Sequence, residues 1–295
     1  MTQVSLDQLN SATKAAFVAS VGDIFEHSPW VAEAAFASRP FASLAALFEA
    51  MTGAVKASSD NQQLALIKAH PDLAGKAARA GALTADSTSE QASAGLDRLT
   101  DEEFKHFHLL NDHYREKFGI PFIVCVRRHT KDSILHQFEV RLQHDAATER
   151  GAALAEIFRI VALRLDQRVA APDRLQVHGR LSTHVLDTHT GRPASGVGIE
   201  LFEVTKSGQS ALVGRFTTNA DGRTDKPLIA NRPVPIGCYE LWFEIGTYFA
   251  QSKVALPDPA FLDTVPVRFS VADAEGHYHV PLLVTPWSYS TYRGS

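Results

Sequence analysis

The sequence predicts a two-domain α+β chain, an all-α domain followed by a β-sandwich. Three observations point there. At 295 residues the chain exceeds the usual size of a single domain. Up to about residue 170 the apolar residues recur every three or four positions, the helical period. After "RVAAPDRLQVHG" the period falls to two, and the runs are separated by turn residues. The expected domains are 1–170 and 178–295, joined by a short linker at 171–177.

In the first part, Ser5 and Gln8 stand at capping-box spacing, with the hydroxyl and the amide placed for free N–H groups at a helix start. Ser28 before Pro29 reads as an N-cap followed by a proline at the first helical position. Phe41, Leu44, Phe48 and Met51 form one apolar stripe, and Phe104, Phe107, Asn111, Tyr114 and Phe118 form another. Thr100 and Glu103 cap the second stripe and Gly119 is placed to end it. These stripes read as core. Two further helices are expected over residues 133–149 and 152–169. In the second part, "RLSTHVLD", "GVGIELFEV", "CYELWFEI", "VPVRFSV" and "HYHVPLLV" read as strands between turns such as "HTGRPASG" and "NADGRTDKP". The strand "HYHVPLLV" runs almost directly into the terminal "STYRGS", so the last residues should be tied to a sheet.

Composition narrows the function classes. Hydrophobic content of 45% and charged content of 21% fit a soluble globular protein, and a net charge of −4 leaves no footprint for nucleic acid or an anionic membrane. No apolar run approaches the ~18 residues of a membrane span, and the N-terminus lacks a signal-peptide pattern. Cys125 and Cys238 fall in different domains, which argues for two reduced thiols and a cytoplasmic protein.

"RLSTHVLDTHTGRPA", "DGRT", "HYHVPLLV" and the terminal "YRGS" occur in this order across residues 178–295. This part resembles the 5-hydroxyisourate hydrolases, the enzyme branch of the transthyretin-like family. The resemblance implies a transthyretin-like β-sandwich that assembles as a homotetramer with active sites at subunit interfaces. It implies catalytic His184, Arg223, His279 and Tyr292, with Arg293, Gly294 and Ser295 completing the substrate site. Opening a cyclic amide with water asks for such a set: a neutral His as base, an Arg for developing negative charge, and a phenol to donate a hydrogen bond. A small-ligand carrier of the same fold is the alternative. A metal site built on His277 and His279 with His184 or His189 is another, although no carboxylate or cysteine completes it by spacing.

The first part carries "AHPDLAGKAA", "LTADSTSEQASAGLDRLT", "FGIPFIVCVRRHTKDSIL" and "EIFRIVALRLDQRV". It resembles the decarboxylases of 2-oxo-4-hydroxy-4-carboxy-5-ureidoimidazoline (OHCU), an all-helical, cofactor-free family. The resemblance implies catalytic His70 and Glu90 and substrate contacts at Pro71, Ser87, Gln91 and Arg164. It further implies contacts through the backbone of Phe122, Ile123, Val124, Cys125 and Val126. A residue before proline is pushed out of the helical region, so His70 should stand where its helix ends. Glu90 could pair with His70 and hold its tautomer; alternatively Ser87 and Glu90, at capping-box spacing, could be structural. The two resemblances in one chain are similar to those of bifunctional allantoin synthases. They imply small purine catabolites, 5-hydroxyisourate and OHCU, as substrates and no metal or other cofactor.

Overall fold

The structure, a computed structural model, describes residues 3–75, 83–252 and 254–294. The chain divides into two compact units, Met1–Arg127 with Ser133–Val177, and Arg128–Asp132 with His178–Ser295.

The first unit is helical. Helix α1 (Leu6–Ser11) starts at the Ser5–Gln8 capping box, which forms in both directions. Helix α2 spans Lys14–Val21, and α3 (Trp30–Ala35) begins one residue later than the sequence indicates. Pro29, not Ser28, is its N-cap, and no side chain caps it. Helices α4 (Leu44–Ala57) and α5 (Asp60–Lys68) are capped by Ser43 and Ser59. Helix α6 (Ala85–Ser93) starts on Thr84, whose hydroxyl takes the Ser87 N–H, so Ser87 lies inside the helix and does not cap it. Helix α7 (Asp101–Phe118) has the expected Thr100–Glu103 box and ends on Gly119. The two helices expected over 133–149 and 152–169 are instead α8 (Lys131–Arg141) and α9 (Ala146–Arg168). The break falls earlier because the Asp145 carboxylate accepts from the Thr148 N–H at 2.7 Å and opens a new helix there. Phe17, Phe25, Leu44, Met51, Phe107, Tyr114, Phe138 and Ile157 are among the side chains buried where these helices meet.

Residues 171–177 are bound to this unit. The Asp173 carboxylate accepts from the Leu44 and Ala45 N–H groups at 2.9 and 3.2 Å, a second cap on α4, and Val177 is buried in the helical core.

The second unit is a sandwich of two sheets. Strands β1 (Val4–Ser5) and β2 (Val169–Ala170) pair within the helical unit, and the sandwich begins at β3 (Gly179–Asp187). It continues through β4 (Arg192–Pro193), β5 (Gly198–Val204), β6 (Ser210–Thr217), β7 (Ile229–Arg232) and β8 (Gly237–Glu244). A short helix α10 (Ile245–Ala250) follows, then β9 (Thr264–Val271), β10 (His277–Val284) and β11 (Tyr289–Thr291). One sheet runs β11-β10-β3-β4 with β7 also on β3, and the other runs β6-β5-β8-β9. Leu181 and Val185 on β3 and Val280 and Leu282 on β10 point into the core with Leu201, Leu241 and Phe243. The period-two pattern therefore leaves Ser182, His184 and His279 on the outer face. Strand β6 has no counterpart among the sequence-predicted strands: it is an edge strand whose Leu212 and Val213 are both exposed, so it lacks the one-sided burial that makes a strand legible.

Candidate active sites

His70 stands just past Ala69, the C-cap of α5, and is buried, with Nδ1 2.9 Å from the Leu66 carbonyl. That oxygen can only accept, so Nδ1 carries the proton and Nε2 keeps its lone pair. Burial is the main reason the imidazole pKa falls to about 4; the Leu66 carbonyl and Glu26 act in the other direction. The ring is therefore neutral at pH 7.

A small cleft opens beside it, lined by His70, Pro71, Ser87, Glu90, Gln91, Phe122, Ile123, Val124, Val126 and Arg164, with Leu73 and Ile160. Four stretches far apart in sequence thus contribute to one wall system. Of the expected residues only Cys125 is not on the lining; it is buried behind it, its N–H donating to Glu156 at 2.8 Å.

One expectation inside the cleft is corrected. Glu90 does not hold the His70 tautomer, which is fixed by Leu66. Its two oxygens instead accept from Arg164 Nε and Nη2, both at 2.8 Å, a bidentate pair. Arg164 lines the cleft, yet every N–H of its guanidinium has a protein acceptor. Nη1 donates to Glu26 at 2.9 Å and to the Ile24 carbonyl at 3.3 Å, and Nη2 also reaches Ser87 Oγ at 3.3 Å.

Glu26 is the residue the sequence reading missed. Its carboxylate is 2% exposed and receives Arg164, the Thr84 hydroxyl at 2.8 Å and the Ser87 hydroxyl at 3.2 Å. Burial alone would raise its pKa, but the Arg164 charge and these hydrogen bonds outweigh it and hold the carboxyl below its usual value. No local pattern in "DIFEHSP" marks it, since all these partners come from distant segments.

In the sandwich, β10 lies parallel to β3 with His277 opposite Arg180, His279 opposite Ser182, and Pro281 opposite His184. Both imidazoles are thus on one outer face. Ser182 Oγ is 3.0 Å from His279 Nδ1, and His184 Nε2 is buried with no partner among the described residues. The "DGRT" turn lies against β3: His184 and Arg223 form a bridge, and the Val185 N–H donates to the Gly222 carbonyl at 2.8 Å. Gly222 has φ of 71°, and a Cβ there would lie 2.3 Å from the Val185 carbonyl oxygen. Burial lowers the pKa of His184 and of His279, and the Arg223 charge lowers both further.

The chain end returns along β10. Strand β11 pairs with it, and beyond β11 the Gly294 N–H donates to the His279 carbonyl at 2.9 Å. A Cβ on Gly294 would lie 2.5 Å from His279 Cδ2. The Arg293 guanidinium stands 5.2 Å from the centre of the Tyr278 ring. An outer-face cleft is lined by Arg180, Ser182, Arg223, His277, Tyr278 and His279. His184 and Tyr292 are not on its lining, and Tyr292 is 57% exposed. Ser295 lies outside the described residues.

A family model described as OHCU decarboxylase matches residues 10–166, and one described as HIUase/Transthyretin family matches residues 181–294. A 2-oxo-4-hydroxy-4-carboxy-5-ureidoimidazoline decarboxylase of Halalkalicoccus jeotgali is 42% identical over 176 residues, which cover 60% of this chain and 98% of that protein. The 5-hydroxyisourate hydrolase 2 of Rhizobium meliloti is 54% identical over 117 residues, covering 40% of this chain and 97% of that protein. The crystal structure of an (S)-allantoin synthase, 37% identical, matches with a TM-score of 0.51 over 99% of this chain and 100% of its own. The chain therefore belongs to the OHCU decarboxylase family through its helical unit and to the HIUase/transthyretin family through its sandwich.

Proposed function

We propose that the chain is a bifunctional enzyme of urate degradation. Its sandwich hydrolyses 5-hydroxyisourate, and its helical unit decarboxylates the product, OHCU, to (S)-allantoin. The observation that carries this reading is the cleft beside His70, where the residues expected from four separate motifs converge around a neutral imidazole.

In the helical unit, loss of CO₂ leaves an electron pair that spreads onto the adjoining ring imine or carbonyl. The protein orients the carboxylate, stabilises the anion and lets one proton reach one face. His70 supplies the proton-transfer group through Nε2, since Nδ1 is committed to Leu66. Arg164 acts chiefly through Glu90, fixing both carboxylate oxygens at the cleft wall. In the sandwich, His184 and His279 are held neutral at pH 7 and can take a proton from water, while Arg223 faces the developing oxyanion.

The exposed Tyr292, with exposed Trp287 and Tyr289 beside it, supports a hydrolase site completed where chains meet in a homotetramer, to be read by light scattering. The two cysteines are free, one in each unit, which supports a reducing cytoplasmic setting.

Urate oxidised in situ by urate oxidase provides the test, followed by ultraviolet absorbance and circular dichroism. His70→Ala should stall the sequence at OHCU while 5-hydroxyisourate still disappears quickly, and His184→Ala should do the reverse. Loss of both steps from either change in a folded protein refutes two separate sites.

A further inference from the structure

Beside the His70 cleft, the chain at Ile123–Cys125 is gripped from one side by two charged side chains. Arg141 Nη1 donates to the Ile123 carbonyl at 2.5 Å, and the Glu156 carboxylate accepts from the Cys125 N–H at 2.8 Å. Arg141 is 4% exposed and Glu156 9%, and neither lines the cleft. Arg141 is itself fixed. Its Nε donates to Glu149 at 2.8 Å, its Nη2 is paired with the same carboxylate, and its guanidinium lies 4.6 Å from the centre of the Phe122 ring. Glu149, wholly buried, also takes the Tyr114 hydroxyl and has His144 Nδ1 at 2.8 Å.

Peptide geometry then dictates where Val124 points. In a trans peptide the C=O of one residue and the N–H of the next point in opposite directions. With the Ile123 C=O turned to Arg141, the Val124 N–H faces away from it. With the Cys125 N–H turned to Glu156, the Val124 C=O faces away from that carboxylate. Val124 is 2% exposed and lines the cleft, and neither its N–H nor its C=O bonds to another described residue. A buried backbone donor and acceptor left unpaired together are rare in folded proteins, and here they adjoin a cavity.

The resemblance already implies substrate contacts through the backbone of Phe122–Val126; we propose that Arg141 and Glu156 are positioning residues of the decarboxylase, which turn the Val124 peptide groups toward the cleft as a docking edge for the amide-type N–H and C=O groups of the substrate. The Val124 main chain then fixes which face of the ring meets the proton donor. This rests on the decarboxylase reading and deepens it. The two charged side chains stand in for a neighbouring strand on one side of this segment, and the substrate takes the place of the strand on the other.

Three variants and one measurement on the unaltered protein test this. Glu156→Ala frees the Cys125 N–H, and Val124→Pro deletes the N–H offered to the substrate without removing any bond the protein makes for itself. Each should lower kcat/KM for decarboxylation by about tenfold or more, the scale of one hydrogen bond lost in a buried site, and lower the enantiomeric purity of the allantoin formed. Glu156→Gln, whose side-chain oxygen can still accept from Cys125, should stay within about threefold of the parent. Hydrolysis of 5-hydroxyisourate by the same chains should not change, and parental far-ultraviolet circular dichroism and thermal unfolding report that the helical unit remains folded. In the unaltered protein, (S)-allantoin should slow hydrogen exchange in a peptide spanning 122–126. Parental kcat/KM and purity in a folded Val124→Pro or Glu156→Ala chain, or no protection by allantoin, overturns the docking edge. Should the unaltered chain fail to decarboxylate supplied OHCU, it is the decarboxylase reading itself that fails.

Discussion

Replacing Gly294 by Ala tests how the chain end supports the hydrolase. The added Cβ would sit 2.5 Å from His279 Cδ2, 3.1 Å from Cγ and 3.2 Å from Cβ, so it meets the imidazole and its stem together. Carbon atoms rest at roughly 3.5–4.0 Å, and relieving the closest contact needs a displacement of about 1 Å. Two groups can move. If the tail lifts, the hydrogen bond from the Gly294 N–H to the His279 carbonyl is lost, on the order of 1 kcal/mol. If the imidazole turns, it leaves Ser182 Oγ, now 3.0 Å from its Nδ1. A misplacement of about 1 Å at a reacting group can lower a rate about 10²-fold, so hydrolysis should fall between tenfold and that limit. The assay is the decay of 5-hydroxyisourate absorbance after rapid urate oxidation, with decarboxylation of supplied OHCU as the internal control. Hydrolase activity within about threefold of the parent would refute the view that the tail sets the position of His279.

Three further outcomes concern the helical unit. Because the folded pKa of His70 lies near 4 and its ordinary value is 6.5, the decarboxylase rate should be flat across pH 6–7 and fall only as pH approaches 4. The same shift gives a stability term fully present above pH 6.5. It is lost as pH falls from 6.5 to 4, where the unfolded chain takes up a proton that the folded one refuses; its size is about 3 kcal/mol, read from urea unfolding at several pH values. Glu26→Gln should lower stability by about 1–3 kcal/mol and slow decarboxylation, since it removes one of the two carboxylates that share Arg164. An unchanged melting temperature and rate would show that Glu90 alone suffices to place the guanidinium.

What the sequence discloses is what short-range chemistry decides. The Ser5–Gln8 and Thr100–Glu103 boxes were legible because both partners lie within one turn. The place of His70 just beyond a helix was legible because proline restricts the residue before it. Strand β3 shows its buried and outer faces by alternation along its whole length, and β10 does so over His277–Val280. Partner choice is another matter. The sequence puts Glu90 within reach of several groups, and only the arrival of α9 from 74 positions away assigns it to Arg164. Glu26 is invisible for the same reason, and the helix break at Asp145 is decided by a cap that competes with a continuous apolar stripe. Motif resemblance reached the cleft residues because it carries the imprint of such distant contacts.

The glycine of the "DGRT" turn is a case where geometry wears the look of chemistry. Gly222 has no functional group, yet the chain can pass close to Val185 only because this position has no side chain. The Asn219 side chain ties the turn from the other side, accepting from the Asp221 and Arg223 N–H groups at 3.0 and 3.2 Å. Arg223 is consequently carried on the sheet like a tool in a fixed mount, in a loop whose length and composition have little freedom to drift. A saturation screen for hydrolysis would score Gly222 and Asn219 as intolerant as the arginine itself. Ranking positions by mutational sensitivity alone would then place a mute residue among the reactive ones.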